Sequence, residues 1–183
     1  MIGSRDAERA QAAAAELGGR AEGASNDEAV RGADLAVLAV NASAALDTAR
    51  DLAGPLGTTP LLSVASALTF GPDGVRPDPD ARSLAERVQD LVDAPVAAGL
   101  HSIAASNLDA GPPDEDTLVC GDDARAKELA LALAGKLVAG RALDAGPLAS
   151  ARALEGLTAV IVNLNRRYKA HAGVRVTGVA EQA

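Results

Sequence analysis

The first nine residues place two guanidinium groups and a hydroxyl close together. Ser4 and Arg5 follow the apolar Ile2, and Arg9 comes about one helical turn after Arg5. This order of residue types predicts the end of a strand that runs into a helix capped by Asp6. A planar guanidinium binds a phosphate ester through two parallel hydrogen bonds, and the Ser4 hydroxyl adds another polar contact. The sequence therefore predicts a phosphate-binding junction here.

A junction of this kind selects the coenzyme in a dinucleotide-binding fold. The tip of the second strand of such a fold faces the adenosine ribose, where an acidic residue binds the 2′-hydroxyl of NAD and an arginine accommodates the 2′-phosphate of NADP. Arg5 at this place favours NADP over NAD. The glycine-rich fingerprint G-x-G-x-x-G does not occur in the sequence. We therefore expect the natural reading frame to start upstream of Met1, or the chain to be a fragment.

A histidine at the end of an apolar strand marks a second candidate site. The run from Pro95 to Leu100 has the length of a strand and is followed by His101. Open α/β folds bind their ligands at the carboxyl ends of parallel strands. A strand-end imidazole can also simply cap a loop, so the residue alone supports both interpretations. Ile103, taken alone, is a core residue.

The composition limits the partners that the chain can have. A net charge of −8 disfavours nonspecific binding to nucleic acid or to an anionic membrane, because both need a basic surface. The single cysteine, Cys120, cannot form an internal disulfide, and no apolar run approaches the roughly 18 residues of a membrane helix. We expect a cytoplasmic protein with no nucleic-acid or membrane partner. No metal site is expected, since Asp122 and Asp123 are better explained as helix caps.

Apolar runs of strand length alternate with helical patterns along the chain. The predicted strands are 20–23, 34–40, 59–64, 95–100, 117–120 and 141–144, and the predicted helices are 6–17, 25–32, 42–52, 80–92, 121–138 and 147–170. A loop is predicted at 71–79, and Gly54-Pro55 is expected to break the third helix. The alternation predicts an α/β fold with a doubly wound parallel sheet.

The last long helix is predicted to bind a second copy of the chain. Its apolar side chains recur at steps of three and four: Leu154, Leu157, Ile161, Leu164 and Tyr168. Such a seam is typical of a helix that packs against a partner helix, and we expect a homodimer. Asn163 and Asn165 on this helix are expected to form hydrogen bonds across helices rather than to do chemistry.

Three segments, taken in this order, resemble the NADPH-dependent coenzyme F420 reductases. They are Gly3-Ser4-Arg5, Gly99-Leu100-His101-Ser102-Ile103, and Cys120-Gly121-Asp122-Asp123 continuing to Asp144-Ala145-Gly146-Pro147-Leu148. The resemblance spans nearly the whole chain. It implies hydride exchange between NADP and coenzyme F420, an 8-hydroxy-5-deazaflavin, in a homodimeric enzyme.

The resemblance also implies how the fold is divided. The family has a strand, a glycine-rich turn and a helix before the segment that matches residue 1, and the loss of that turn is expected to weaken adenosine binding and to impair the activity. We therefore expect a Rossmann-like doubly wound parallel sheet, truncated at its N-terminus, with a small C-terminal α/β part that ends in the long dimerising helix. Residues 1–105 would form the partial dinucleotide-binding domain, and residues 106–183 the coenzyme and dimerisation part.

The resemblance assigns roles to individual residues. It gives Ser4, Arg5 and Arg9 to the 2′-phosphate, and it places Asn41, Ala42 and Leu46 along the path of the dinucleotide, with Asn41 where the family commonly has proline. The nicotinamide and deazaflavin rings are expected to meet among these residues: Ser63, Val64, His101, Ser102, Ile103, Ala104 and Ala105. His101 and Ile103 would position the rings, and hydride transfer to a deazaflavin carbon requires no acid or base from the protein.

Two alternatives are open from the sequence. One is a noncatalytic dimeric Rossmann remnant that has lost dinucleotide binding together with the glycine-rich loop. The other is an NADP-dependent reductase of the hydroxyacid-dehydrogenase type, but Lys127, Lys136 and Lys169 lack the setting of its catalytic lysine. Loss of the deazaflavin's visible absorption on mixing with NADPH distinguishes the three.

Overall fold

Strands and helices alternate along the chain, as the sequence predicts. A computed structural model describes residues 1–108 and 111–179. The strands are β1 (Ile2–Ser4), β2 (Gly23–Ser25), β3 (Ala36–Leu38), β4 (Leu61–Ser63), β5 (Leu68–Gly71), β6 (Gly74–Pro77), β7 (Val96–Gly99), β8 (Thr117–Gly121) and β9 (Ala142–Asp144). The helices are α1 (Ala7–Glu16), α2 (Asn26–Val30), α3 (Ala42–Leu56), α4 (Leu84–Gln89), α5 (Ala105–Leu108), α6 (Ala124–Leu137) and α7 (Ala151–Tyr168).

The central sheet has the strand order β3-β4-β7-β8-β9. β3, β4 and β7 are parallel, whereas β8 is antiparallel to β7 and parallel to β9. Helices cover both faces: Leu61 belongs to the core cluster that includes residues of α3, α4 and α7, and its neighbour Leu62 belongs to the cluster with α6. The predicted α/β class and the long C-terminal helix are confirmed, and the sheet predicted to be parallel is parallel except where β8 pairs with β7.

β1 and β2 form a parallel pair of their own. α1 lies so close to β2 that a Cβ on Gly23 would come within 2.3 Å of the Ala10 carbonyl oxygen. A cavity of about 570 Å³ separates this pair from β3, and its lining includes Ile2 and Val37. The β1–β2 pair therefore stands beside the central sheet with space between them.

The predicted break at Gly54-Pro55 is wrong. α3 includes Pro55 and continues to Leu56 before Gly57, which has a φ of 55°, ends it. Pro55 lies in the last turn, where only one helical hydrogen bond is lost. Leu56 is 2% exposed, so its packing in the core holds that turn in place.

The predicted loop at 71–79 is also wrong, because most of these residues belong to an antiparallel hairpin of β5 and β6. Pro72 and Asp73 form its tip, and Gly74 has a φ of 119°, which favours glycine. The order Pro-Asp-Gly between residues that favour strands is a turn signal that could have found the hairpin.

α7 starts at Ala151, later than predicted, after a 3-10 turn at Leu148–Ser150. The predicted apolar seam is divided between two environments. Leu154 and Ile161 are buried in the core of their own chain, whereas Leu164 and Tyr168 are exposed. In the part of the chain that the structure describes, no helix is both long enough and apolar enough to span a bilayer.

Candidate functional site

The turn from β1 into α1 gathers the predicted phosphate-binding residues. The Asp6 carboxylate caps α1 by accepting the backbone N–H of Arg9 at 3.4 Å, and the Ser4 hydroxyl oxygen accepts the N–H of Asp6 at 3.2 Å. The turn is therefore fixed by its own side chains. Ser4, Arg5, Arg9 and Asn41 all line one cavity of about 370 Å³.

Positive charge dominates this cavity. Arg5 and Arg9 are exposed, and within residues 1–108 and 111–179 neither makes an ion pair with a carboxylate. The carboxylate of Asp6 is engaged in capping. The N-terminus of α1 adds partial positive charge at the same place. The arrangement suits a phosphate dianion.

The N-terminus of α3 forms the opposite side of this cavity. Asn41 is the N-cap residue of α3, but its side chain makes no capping hydrogen bond. Ala42 and Leu46 are half-buried against the core, and the lining instead includes Ala44 and Thr48. The roles predicted for Ala42 and Leu46 stay predictions. Sequence reasoning missed Thr48, although its spacing from Asn41 and Ala44 places all three on one helix face.

The second group lies where β4 and β7 end side by side. Ser63, the last residue of β4, pairs with Ala98 of β7. Leu100 then has a φ of 65°, a left-handed conformation that turns the chain sharply after the strand. The turn buries the next two side chains, leaving His101 6% and Ser102 5% exposed. Neighbouring strand ends thus bring three predicted site residues to one edge of the sheet.

The side-chain polar atoms of this group lack hydrogen-bond partners among the described residues. Both ring nitrogens of His101 and the hydroxyls of Ser63 and Ser102 are buried without a partner among the described residues. Burial lowers the pKa of His101 to about 4, so the imidazole is neutral at physiological pH. Buried polar groups are nearly always hydrogen-bonded in proteins. Several unpartnered ones at one edge indicate a ligand site.

The remaining predicted ring-site residues lie around this edge. Val64 follows β4, Ile103 and Ala104 follow His101, and Ala105 is the first residue of α5. Val64, Ile103 and Ala104 are half-buried, whereas Ala105 is exposed. They offer apolar surface beside the polar group, and their roles stay predictions.

A threonine of α7 joins the two loops of this site. The Thr158 hydroxyl donates a hydrogen bond to the His101 carbonyl at 2.8 Å and lies 3.1 Å from the Ser66 hydroxyl. Ser66 follows β4, so α7 contacts the loops after both strands. Sequence reasoning missed Thr158, because its partners are distant in the chain.

Metal ligands and a reactive thiol are not part of this arrangement. Within the described residues, no group of three or more His, Cys, Asp or Glu side chains could hold a metal ion. Cys120 is buried, and burial raises the pKa of its thiol to about 11, so it stays protonated at physiological pH. As predicted, Asp123 caps α6, but the Asp122 carboxylate instead accepts the backbone N–H of Leu148 at 3.0 Å.

Comparison with known proteins decides the family. Residues 1–67 match the family model described as NADP oxidoreductase, coenzyme F420-dependent. The F420-dependent NADP reductase of Methanothermobacter thermautotrophicus is 36% identical over 203 residues, covering 100% of this chain and 85% of that protein. This chain belongs to the F420-dependent NADP reductase family. The family expected from the sequence is confirmed.

Other members and solved structures agree with this family. The F420-dependent NADP reductase of Methanocaldococcus jannaschii is 30% identical, covering 98% of this chain and 87% of that protein. A crystal structure described as a putative F420-dependent NADP reductase from Arthrobacter sp. FB24 has a TM-score of 0.81 at 25% identity, covering 96% of this chain and 87% of that one. A hypothetical protein of Sinorhizobium meliloti, with a TM-score of 0.65 at 23% identity over 81% of this chain and 73% of that one, shares the fold.

Proposed function

We propose that this family member transfers a hydride between NADP(H) and coenzyme F420. The observation that carries the proposal is a combination of two groups in one fold. Among the residues that the structure describes, an arginine cluster without ion pairs lies at the end of β1, and buried polar side chains without hydrogen-bond partners lie at the ends of β4 and β7. The first group fits a phosphate, and the second fits the polar edge of a ring.

The β1–α1 turn is proposed to hold the 2′-phosphate of NADP. Arg5 and Arg9 supply planar donors that form no ion pair within the described residues, and the Ser4 hydroxyl adds a contact. Asn41 would face the same ligand from α3, because its amide is not used in capping. These residues bind and orient the nucleotide and take no part in the chemical step.

The edge formed by β4 and β7 is proposed to hold the reacting rings. When bound, the deazaflavin would accept or donate the hydride at a ring carbon, and the proton taken up or released in the net reaction would exchange with solvent, so no acid or base from the protein is required. The neutral imidazole of His101 can donate from one nitrogen and accept at the other. Ser63 and Ser102 add hydroxyls, and Val64, Ile103, Ala104 and Ala105 would pack against ring faces and exclude water. The protein contributes by aligning the nicotinamide and deazaflavin rings with each other.

The exposed face of α7 is proposed to bind a second copy of the chain. Val160, Leu164 and Tyr168 are exposed at successive steps of four, and Phe70 of the hairpin is 61% exposed, with the guanidinium of Arg166 5.5 Å from its ring centroid. Monomeric surfaces rarely keep such apolar groups together. Sedimentation at micromolar concentration tests this: a dimer is expected, and a monomer would contradict it.

Two further expectations belong to the same proposal. Residues 1–105 would hold the dinucleotide, and 106–183 would complete the coenzyme site and the dimer; residues 109, 110 and 180–183 of that part lie outside the described structure. A single buried free cysteine fits a reducing compartment, and we place the protein in the cytoplasm.

The proposed reaction is tested by mixing the protein with NADPH and oxidised coenzyme F420. We expect the visible absorption of the deazaflavin to fall with enzyme-dependent kinetics, and NADH to be a much poorer donor. An absorbance that does not change, with the folded state verified by circular dichroism, would contradict the proposal and favour the noncatalytic alternative.

A further inference from the structure

The β5–β6 hairpin is the direct continuation of the proposed ring site. β4 ends at Ser63, residues 64–67 form the loop beside the site, and β5 begins at Leu68. The Asp78 N–H donates to the Ala67 carbonyl at 2.9 Å, which closes the stem of the hairpin. An isolated two-stranded hairpin is marginally stable in water. Its position must therefore be set by what it packs against.

Asn163 of α7 holds the far half of this hairpin. Its Oδ1 accepts the Val75 N–H at 2.8 Å, and its Nδ2 donates to the Val75 carbonyl at 2.8 Å. The carboxamide thus pairs with β6 as the peptide group of another strand would. Val75 is 3% exposed, so water does not replace these bonds readily.

Gly74 has no side chain, which allows Asn163 to approach β6 closely. A Cβ at Gly74 would lie 2.8 Å from the Asn163 Oδ1, and its φ of 119° also disfavours any other residue. A Cβ on Gly71, across the hairpin, would meet its nearest atom at 3.7 Å, an ordinary van der Waals distance. The close approach is thus specific to the side of the hairpin that faces Asn163.

α7 also binds the stem of the hairpin. The hydroxyls of Thr158 and Ser66 lie 3.1 Å apart, and Arg152 donates to the Asp78 carbonyl at 2.6 Å. One rigid helix therefore holds the segment 64–78 at its stem and, through Asn163, near its tip. Without the hydrogen bonds from Asn163, only side-chain packing, such as that of the buried Val75, would hold the far half of the hairpin.

We propose that Asn163 is a positioning residue for the coenzyme site: by fixing the hairpin on α7 through Val75, it orders the loop 64–67 beside the rings. The role of that loop rests on the proposed function. Asn163 itself touches neither coenzyme.

The test uses two matched pairs of variants in the full chain. Asn163→Leu removes both bonds to Val75, and its control Asn165→Leu changes the neighbouring asparagine, which instead accepts the Ala172 N–H at 2.6 Å. Gly74→Ala displaces the Asn163 carboxamide, and its control Gly71→Ala adds a methyl group where there is room. Thermal melts establish that each variant folds.

Two readouts decide the proposal. In Asn163→Leu and Gly74→Ala, we expect amide hydrogen exchange to accelerate about tenfold in residues 64–77, because local opening becomes easier. The KM for coenzyme F420 should rise about tenfold, while the dissociation constant of NADPH alone stays within about twofold. The two control variants should match the unmodified protein. The double variant Asn163→Leu/Gly74→Ala should lose less than the sum of the two single losses, because both changes act on the same pair of hydrogen bonds, while the backbone strain of alanine at a φ of 119° adds separately.

The outcomes separate this proposal from the proposed function. Faster exchange confined to 68–77, with loop 64–67 and the KM unchanged, would overturn the positioning role. Equal effects in Asn165→Leu would overturn it as well. An unmodified protein that binds neither coenzyme would overturn the proposed function, whereas hydrogen exchange would still decide whether Asn163 orders the loop.

Discussion

Two groups of buried polar side chains near the ends of central strands differ in their partners. Asp116, which is fully buried just before β8, accepts hydrogen bonds from the Arg141 guanidinium at 2.7 Å and from the Val176 N–H at 2.9 Å. His101, just after β7, is almost as buried, yet neither of its ring nitrogens has a partner within the described residues.

The fold stabilises the charged form of Asp116 and disfavours the charged form of His101. The Arg141 guanidinium, with the backbone donors of Val176 and Arg141, holds the pKa of Asp116 well below its usual range, so its charge is stabilised by the fold. Burial alone lowers the pKa of His101, and within residues 1–108 and 111–179 no hydrogen bond to its ring offsets the desolvation. Asp116 is therefore part of the architecture, whereas we propose that a ligand supplies the hydrogen bonds missing at His101.

The largest expected effect is a loss of folding stability when Asp116 is replaced. Asp116→Ala leaves Arg141 half-buried without its carboxylate and strips the acceptor from the Val176 amide. We expect the free energy of unfolding to fall by about 3 kcal/mol, as for other broken buried pairs. Urea denaturation measures this. Asp114→Ala, which removes an exposed partner of Arg175, is the control and should change it by less than about 1 kcal/mol.

The next effect is on activity at His101. His101→Leu removes ring nitrogens that have no partner in the described part of the chain, so we expect unchanged or slightly higher stability together with about a 100-fold loss of kcat/KM for coenzyme F420. Steady-state kinetics and thermal melts measure the two quantities. His171→Leu changes the other histidine of the chain and should leave both unchanged. If His101→Leu unfolds instead, His101 has a structural role like that of Asp116.

Glu155 is intermediate between Asp116 and His101, because only one of its two carboxylate oxygens has a hydrogen-bond partner among the described residues. It is fully buried; its Oε1 accepts the Leu84 N–H at 2.7 Å, and its Oε2 is only 3.6 Å from Arg152, without a hydrogen bond. Burial raises the pKa of Glu155 to about 7. A raised carboxyl pKa means that the protonated form favours folding, so this stabilisation is complete below the unfolded value of about 4.5 and is lost as the pH rises through about 7.

Glu155→Gln keeps the acceptor for Leu84 and removes the titration. We expect the variant to gain stability relative to the unmodified protein between about pH 4.5 and 7, reaching about 3 kcal/mol and levelling off above that. Urea denaturation across this pH range measures the difference. A difference that is independent of pH would show that Glu155 does not titrate in the folded protein.

The sequence predicted those parts of the site that depend on neighbours along the chain. Arg5, Arg9 and the capping role of Asp6 follow from a local strand-to-helix turn, and His101 follows from the end of an apolar run. The structure brings Ser4, Arg5, Arg9 and Asn41 to one cavity and Ser63, His101 and Ser102 to one sheet edge.

The sequence could not predict interactions between distant segments. Thr158 and Asn163 are both polar residues on an apolar helix, and their hydrogen bonds to His101 and Val75 span 57 and 88 positions. The bond between Arg141 and Asp116 spans 25 positions and depends on the pairing of β8 with β9. The antiparallel pairing of β8 with β7 likewise has no local signal.

The most direct test of the proposed function is the coenzyme preference of Arg5→Asp. We predict that the unmodified protein reduces coenzyme F420 far faster with NADPH than with NADH, and that Arg5→Asp lowers kcat/KM for NADPH by about 100-fold while barely changing that for NADH, because a carboxylate repels the 2′-phosphate. A variant that uses NADPH as well as the unmodified protein does would contradict the assignment of the β1–α1 turn to that phosphate.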